Sequence, residues 1–152
     1  MAKVASIRLV PLSSEQASDS ASWFVGDDEG QRRFGGFYGV HPKWWDLVCT
    51  DRCRHGWIAF VEGDAVGFVD IEAAPECPAK LVVYLRPERR HQGLGVPLIT
   101  AALAEARRLG AKRVSAAVEP DNAVSLKSCL RAGFHDAGTN DFGERLLLHD
   151  LA

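Results

Sequence analysis

The stretch LVVYLRPERRHQGLGVPLITAALAEARRLG, residues 81–110, predicts a strand, a basic glycine-containing turn and a helix in direct succession. Residues 81–86 are rich in the β-branched and aromatic types that favour strands, and Pro87 ends the strand because it has no N–H to donate. Residues 90–95, the glycine turn, open the helix, where free backbone N–H groups and the helix dipole favour an anion. Two arginines, Arg89 and Arg90, add positive charge, and this turn is therefore predicted to bind a phosphate group.

The helix after the glycine turn has the clearest periodicity in the chain. Its apolar positions share one face and are Leu98, Ile99, Ala102, Leu103, Ala106 and Leu109. Pro97 suits the first helical turn, where a missing N–H costs no bond, and Gly110 suits the left-handed position that often follows a helix. We therefore expect a well-defined amphipathic helix between the glycine turn and Gly110.

The rest of the chain predicts short strands and helices separated by polar turns. Strands are predicted at residues 4–10, 57–61, 65–73, 112–118, 134–137 and 145–151. Helices are predicted at residues 13–24, 43–52 and 122–132. The polar run at residues 26–30 predicts a turn, and residues 31–54 are expected to be mostly irregular and rich in aromatic side chains.

Length and composition indicate one ordinary globular domain, residues 1–152. The net charge of −2 argues against a nucleic-acid-binding surface, which is normally basic. No apolar run approaches the ~20 residues of a membrane span. Because Ser6 and Arg8 interrupt the apolar N-terminus, no signal peptide is predicted. We therefore expect a cytoplasmic protein with neither nucleic acid nor membrane as its partner.

The four cysteines are unevenly spaced and predict free thiols rather than disulfides. Cys49, Cys53 and His55 have ligand types that zinc accepts. Their spacing is not that of a CxxC pair, and no second paired cluster follows. No metal site is predicted.

Two common phosphate motifs do not fit the glycine turn. A P-loop requires lysine and then serine or threonine after its last glycine, whereas Val96 and Pro97 follow Gly95. A dinucleotide fingerprint requires GxGxxG in a unit of parallel strands, but Leu98 stands at the third glycine position and antiparallel strands are predicted before the turn. Both motifs are excluded.

The remaining pattern is Arg/Gln-x-x-Gly-x-Gly/Ala after a strand, with Asn and then Gly-Phe some way downstream. Here it consists of RHQGLG at 90–95, NAVS at 122–125 and RAGF at 131–134. Over residues 57–134 the chain thereby resembles the GCN5-related N-acetyltransferase (GNAT) superfamily. The resemblance implies an α+β fold in three layers, with a mixed, mostly antiparallel sheet of six or seven strands flanked by about four helices. It also implies that the sheet is splayed between the strand at residues 81–86 and that at 112–118.

The resemblance implies acetyl-CoA, or another acyl-CoA, as the donor of an acyl group. In the family, the turn's amides hold the diphosphate, the preceding strand offers main-chain bonds to the pantetheine arm, and the second helix lies near that arm. Carried onto this sequence, the residues are Arg90, His91, Gln92, Gly93, Leu94 and Gly95; Tyr84, Leu85 and Arg86; and Asn122 and Ser125. Pro97 cannot donate, so the diphosphate amides should come from residues 91–96. Asn122 is also a good helix cap, which is the alternative interpretation.

Acetyl transfer from a thioester to an amine requires a base for the amine and benefits from an acid for the departing thiolate. Family members often place a tyrosine as the acid where this chain has Cys129. Three alternatives therefore stay open: Cys129 is the acid, Tyr84 is the acid, or the reaction uses no acid. Glu72 and Asp70 share one face of a strand next to the cleft, and Glu72 is the preferred base. Three further candidates for the base are Glu76, His55 and His41.

The acceptor is predicted to be a small amine that attacks acetyl-CoA directly in a ternary complex. Four aromatic side chains are expected to line its site: Phe34, Tyr38, Trp44 and Trp45. Acidic residues nearby would suit a cation such as a polyamine or an aminoglycoside. A peptide N-terminus or lysine is an alternative acceptor, and a silent acyl-CoA-binding module is the alternative function. Homodimerisation, common in such folds, stays open.

Overall fold

The computed structural model of the chain describes residues 6–34, 38 and 52–151. Its strands are β1 (Arg8–Pro11), β2 (Arg54–Val61), β3 (Asp64–Glu72), β4 (Ala79–Leu85), β5 (Arg113–Val118), β6 (His135–Thr139) and β7 (Arg145–Asp150). Its helices are α1 (Ser14–Ala21), α2 (Asp28–Phe34), α3 (Gly95–Arg108) and α4 (Ala123–Arg131), with 3₁₀ turns at Ser22–Phe24 and Pro87–Arg89. Within these residues, no helix is both long and apolar enough to cross a lipid bilayer.

The strands form one sheet in the order β1-β2-β3-β4-β5-β7-β6. The antiparallel run β1 to β4 confirms the predicted strands that lead into the glycine turn. Glu62 and Gly63 join β2 to β3 with φ angles of 51° and 86°, the two successive left-handed residues of a tight hairpin turn. The result is the three-layer α+β arrangement that the sequence predicted.

Alternate side chains of the sheet enter two separate apolar clusters, because successive residues of a strand face opposite ways. On one face, β3 and β4 pack against α3 and α4 through residues such as Val69, Leu81 and Leu98. On the other face, Phe68 and Tyr84 pack against the segment of α1 and the first 3₁₀ turn. Each face thus has its own helical layer.

The sheet is splayed at its centre, as predicted. Strands β4 and β5 run parallel and pair only at Ala79↔Val114 and Lys80↔Ser115. From Leu81 onward β4 keeps its antiparallel partner β3, and none of the described strands pairs with it on the other side. The splay leaves one edge of β4 available up to the glycine turn.

The structure corrects the interpretation of residues 26–34. The polar run was expected to be a turn, but Asp27 caps a helix that begins at Asp28, with the N–H of Gly30 donating to its carboxylate at 3.0 Å. Acidic residues in the first turn of α2 and arginines in its last turn both favour the helix dipole. The helix predicted at 43–52 lies outside the described residues except for Arg52, which is in a turn.

Candidate active site

The glycine turn carries free backbone N–H groups at the start of α3. His91 and Gly93 have φ angles of 60° and 76°, so the chain reverses direction through left-handed conformations. The first α3 N–H with a helical acceptor is that of Leu98, which donates to Leu94 at 2.9 Å. Among the described residues, the N–H groups of residues 93–96 have no acceptor. The turn therefore has the geometry of an anion site.

Gly95 allows α3 and α4 to pack closely behind this turn. A Cβ built at Gly95 would lie 2.9 Å from the hydroxyl oxygen of Ser128 on α4. The absence of a side chain therefore lets the helix start approach α4 without displacing it. The second glycine of the motif has a packing role, whereas Gly93 supplies the conformation of the turn.

The two arginines at the turn have different surroundings. The side chain of Arg90 donates to both carboxylate oxygens of Asp27, at 2.9 and 2.7 Å, and to the carbonyl of Leu85 at 3.0 Å. Arg89 has no ion pair with the described residues, and its buried Nε–H has no acceptor among them. The uncompensated charge next to the free amides is thus that of Arg89, while Arg90 anchors the turn to the segment before α2.

Asp27, Arg90 and Tyr84 form a buried group, here the Asp27 cluster. The Tyr84 hydroxyl donates to the Asp27 carboxylate at 2.7 Å. Burial alone would raise the pKa of Asp27, but the hydrogen bonds from Arg90 and Tyr84 lower it below its ordinary value. Burial and the Asp27 carboxylate together raise the pKa of Tyr84 well above its usual range. These contacts argue against Tyr84 as a proton donor to a thiolate.

The main chain of β4 corrects the set of residues expected to face the cleft. The N–H of Arg86 donates to Val66 on the β3 side at 2.8 Å, and its carbonyl accepts from Arg89. Because antiparallel ladders alternate, Tyr84 also turns its backbone groups to β3. Leu85 and Val83 turn theirs to the splayed side. Val83 was missed because the side to which a strand residue turns its backbone N–H and C=O groups depends on the strand register, which the sequence does not show.

A pocket of about 320 Å³ lies on the face of the sheet opposite α3 and α4, here the β3–β4 pocket. It is lined by Tyr38, Arg54, Asp70, Glu72, Lys80 and Val82. Strand register sets this composition: Arg54, Glu72 and Lys80 are cross-strand neighbours on β2, β3 and β4. The splay between β4 and β5 begins beside Lys80, which also lines the pocket. The pocket and the free edge of β4 therefore meet at Lys80.

Asp70 is fully engaged within this pocket. Its carboxylate accepts two bonds from the Arg54 guanidinium, at 2.5 and 3.2 Å, and one from the Tyr38 hydroxyl at 2.6 Å. Its side chain is 3% exposed. Burial, together with the Asp70 carboxylate, raises the pKa of Tyr38 far above its usual range. Asp70 is therefore better suited to hold Arg54 and Tyr38 in place than to accept a proton from a substrate.

Glu72 and Lys80 are the accessible charges of the β3–β4 pocket. The Glu72 side chain is 40% exposed, and its carboxylate lies 3.8 Å from the Arg54 guanidinium. Lys80 is exposed and makes no ion pair with any described residue. Sequence reasoning missed Arg54 and Lys80; the alternation of β2 and β4 was the signal that could have placed both on the face of Glu72.

The predicted aromatic lining is divided by the structure. Tyr38 lines the β3–β4 pocket, whereas Phe34 packs edge-on against Tyr84 with ring centroids 6.0 Å apart. Phe34 therefore belongs with the buried cluster on that face. Trp44 and Trp45 lie outside the described residues.

Three predicted residues lie on or at the start of α4. Asn122 caps the helix, its side-chain oxygen accepting the N–H of Ser125 at 3.3 Å, which is the alternative interpretation given to it. Cys129 is buried in the apolar cluster beneath α3. Burial raises the pKa of the Cys129 thiol to about 11, although a hydrogen bond with Ser125 opposes the shift. At neutral pH this thiol is protonated and a weak acid.

The two other described candidates for the base, His55 and Glu76, do not line the pocket. His55 stacks on Trp57, on the opposite face of the sheet from Glu72. Glu76 is exposed in the loop between β3 and β4. His41 and Cys49 are outside the described residues. Within residues 6–34, 38 and 52–151, no group of three or more His, Cys, Asp or Glu residues is arranged to hold a metal ion.

Comparison with known sequences identifies a family and a relative. The family model described as the acetyltransferase (GNAT) family matches residues 19–134. The L-methionine sulfoximine/L-methionine sulfone acetyltransferase of Pseudomonas aeruginosa is 41% identical over 56 residues. That stretch covers 37% of this chain and 33% of the relative, so this chain matches about a third of the length of the relative.

Comparison with solved structures shows a common fold over nearly the whole chain. An aminoglycoside acetyltransferase, AAC(6′)-Ib, in complex with coenzyme A and kanamycin has a TM-score of 0.81 at 14% identity, covering 96% of this chain and 95% of that one. The dodecameric spermidine N-acetyltransferase from Vibrio cholerae has a TM-score of 0.74 at 13% identity, covering 95% and 93%. The fold is shared despite low sequence identity.

Proposed function

The chain belongs to the GNAT acetyltransferase family, and on that premise we propose that it transfers the acetyl group of acetyl-CoA to the primary amine of a small molecule. One observation carries the proposal: the β3–β4 pocket at Lys80, the edge of β4 that β5 leaves free and the free amides of the glycine turn succeed one another along residues 80–96. A donor held by the turn and an acceptor held in the pocket would meet beside β4.

The residues of the turn suit the diphosphate of acetyl-CoA. The N–H groups of residues 93–96 would donate to its oxygens, and the guanidinium of Arg89 would balance its charge. The backbone groups of Val83 and the N–H of Leu85, whose carbonyl already accepts from Arg90, would bind the pantetheine arm along the edge that β5 leaves free. Asn122 and Ser125 remain candidates for contacts to the same arm.

On the acceptor side, Glu72 is the proposed base. The amine nitrogen attacks the thioester carbonyl carbon, the C–N bond forms, the C–S bond breaks, and the ammonium proton passes to Glu72 directly or through water. Glu72 is accessible, and the Arg54–Asp70 pair beside it fixes the wall of the pocket. The thiolate of coenzyme A takes its proton from water in this scheme.

The relatives support a small amine as the acceptor. Their names and complexes include an aminoglycoside, spermidine and methionine derivatives, all of which carry amino groups. The β3–β4 pocket of about 320 Å³ is at the lower end of the range typical for small-molecule sites. Both observations favour a small molecule over a protein as the acceptor.

The experiment is to incubate the protein with acetyl-CoA and a panel of amines, and to follow free thiol release and acetylated product by mass spectrometry. The panel should contain amino acids, monoamines, spermidine, kanamycin and a lysine-containing peptide. Release above background with a small amine is the expected result. Coenzyme A binding without turnover of any acceptor would instead indicate a silent binding module, and turnover of the peptide alone would indicate a protein acetyltransferase.

Cys129→Ala is expected to change kcat by far less than the ~10²-fold that a general acid contributes. A thiol with a pKa of about 11 is poorly matched to a thiolate whose conjugate acid has an ordinary pKa near ~8.5. The small loss of buried volume should cost about 1 kcal/mol of unfolding free energy. Steady-state kinetics and thermal unfolding check both expectations. A hundredfold fall in kcat with unchanged coenzyme A affinity would establish Cys129 as the acid.

A further inference from the structure

We propose that the acceptor is a zwitterion of the amino-acid type, with its amino group beside Glu72 and its carboxylate on Lys80. This inference rests on the proposed function and assigns the substrate class of the same site. It follows from the charges of the β3–β4 pocket, which differ from those expected for a polycationic acceptor.

The pocket contains two carboxylates and two cations among its described lining residues. Asp70 and Arg54 neutralise each other through two hydrogen bonds, whereas Glu72 lies at a longer 3.8 Å from the Arg54 guanidinium. Glu72 and Lys80 face each other across β3 and β4, yet no ion pair within bonding distance joins them. The pocket thus presents one accessible negative charge and one accessible positive charge on adjacent strands.

A zwitterion matches this pair of charges. Side chains directly opposite each other on antiparallel strands have Cβ atoms ~5 Å apart, and their charged groups lie further out from the sheet than these Cβ atoms. An α-amino acid carries its ammonium and carboxylate on one carbon, so it spans a gap of this size. Val82 lies one step along β4 from Lys80 on the same face and offers an apolar wall to the substrate side chain.

The described residues of the pocket suit a polycation less well. Spermidine or an aminoglycoside needs several carboxylates, but Glu72 is the only accessible one among the described lining residues, since Asp70 is 3% exposed and paired. The ammonium of Lys80 would repel any further amino group brought next to it. A monoamine carries a single ammonium group, which could lie beside Glu72, but it would leave Lys80 without a partner.

The position of Lys80 also suits catalysis. Strands β4 and β5 separate immediately beyond Lys80, where a donor lying along the free edge of β4 would end. A carboxylate fixed there places the amino group on the Glu72 side of the same opening. Lys80 would therefore act in binding and orientation, and Glu72 in the proton transfer.

The test compares acceptors that differ only in the carboxylate. Each standard L-amino acid is assayed with acetyl-CoA, and the best is compared with its carboxamide, its decarboxylated amine, spermidine and kanamycin. We expect the amino acid to have a kcat/KM roughly tenfold to a hundredfold above the amide and the amine, as a charge-assisted contact provides. In Lys80→Met that advantage should disappear through KM, so that the amino acid and its carboxamide have similar kcat/KM values.

Lys127→Met is the matched control, because Lys127 is an exposed lysine of α4 on the opposite face of the sheet. It should retain the preference for the free carboxylate. Higher kcat/KM for the amide, the amine or a polycation than for every amino acid would overturn the zwitterion assignment and leave the acetyltransferase proposal standing. Coenzyme A binding without turnover of any acceptor would overturn both.

Discussion

Glu72→Gln should lower kcat for acetylation of the best amine acceptor by ~10²-fold or more, the lower end of what a general base contributes. Glutamine keeps the size and polarity of the side chain but cannot take a proton. The Glu72 carboxylate is 40% exposed, so its replacement should not disturb the buried layer beneath it. The affinity for coenzyme A, measured by calorimetry, should stay close to that of the wild type, because the glycine turn lies at the other end of β4.

The pH profile separates a proton-transfer role from a structural one. A primary amine has a pKa near ~10, so the fraction already unprotonated rises as the pH increases. Activity of the Glu72→Gln variant should therefore recover towards that of the wild type between pH 8 and roughly 10. Glu62→Gln is the control, since Glu62 is an exposed glutamate in the β2–β3 turn. A Glu72→Gln variant as active as this control at neutral pH would assign the base to another group.

Local sequence signals predicted the part of the fold around the glycine turn. The glycine turn, α3 and the splay between β4 and β5 depend on neighbouring residues or on a motif, and the structure has all three. The anion site is formed by residues close together in sequence, because it consists of main-chain groups at a helix start. Arg90 was an exception: its charge was assigned to the phosphate, but its partner Asp27 lies 63 residues earlier in the chain.

The acceptor side was less predictable because it depends on contacts between distant residues. Glu72 was predicted to be the base from its position on a strand, but the alignment of Arg54, Glu72 and Lys80 across three strands depends on register. Likewise, Asp70 was a reasonable base in sequence until Arg54 and Tyr38 were seen to saturate its carboxylate. The polar run before α2 was interpreted as a turn because nothing local shows that Asp27 is buried.

Asp27→Ala should destabilise the protein by about 3 kcal/mol, the scale expected when one partner of a buried ion pair is removed. The variant would leave the Arg90 guanidinium, whose side chain is 22% exposed, without its counter-charge. It would also strip the Tyr84 hydroxyl and the N–H of Gly30 of their acceptor. Urea unfolding measures the loss. Asp28→Ala, which removes an exposed carboxylate from the same helix start, is the matched control.

The same variant should weaken coenzyme A binding, because Arg90 begins the glycine turn and Asp27 holds Arg90 in place.

Asp27→Asn keeps the shape of the side chain but removes its charge. The pH dependence of its unfolding free energy therefore isolates the ionic contribution of Asp27. The hydrogen bonds that outweigh burial lower the pKa of Asp27 in the folded protein, so the wild-type carboxylate adds stability above its ordinary pKa of 3.8. That contribution is lost as the pH falls through the lowered folded pKa. The stability gap between wild type and Asp27→Asn should therefore be full at pH 6 and close below roughly pH 3.8. Equal stability of the two proteins at pH 6 would show that Asp27 contributes through its hydrogen bonds alone, and unchanged coenzyme A affinity would separate the cluster from the turn.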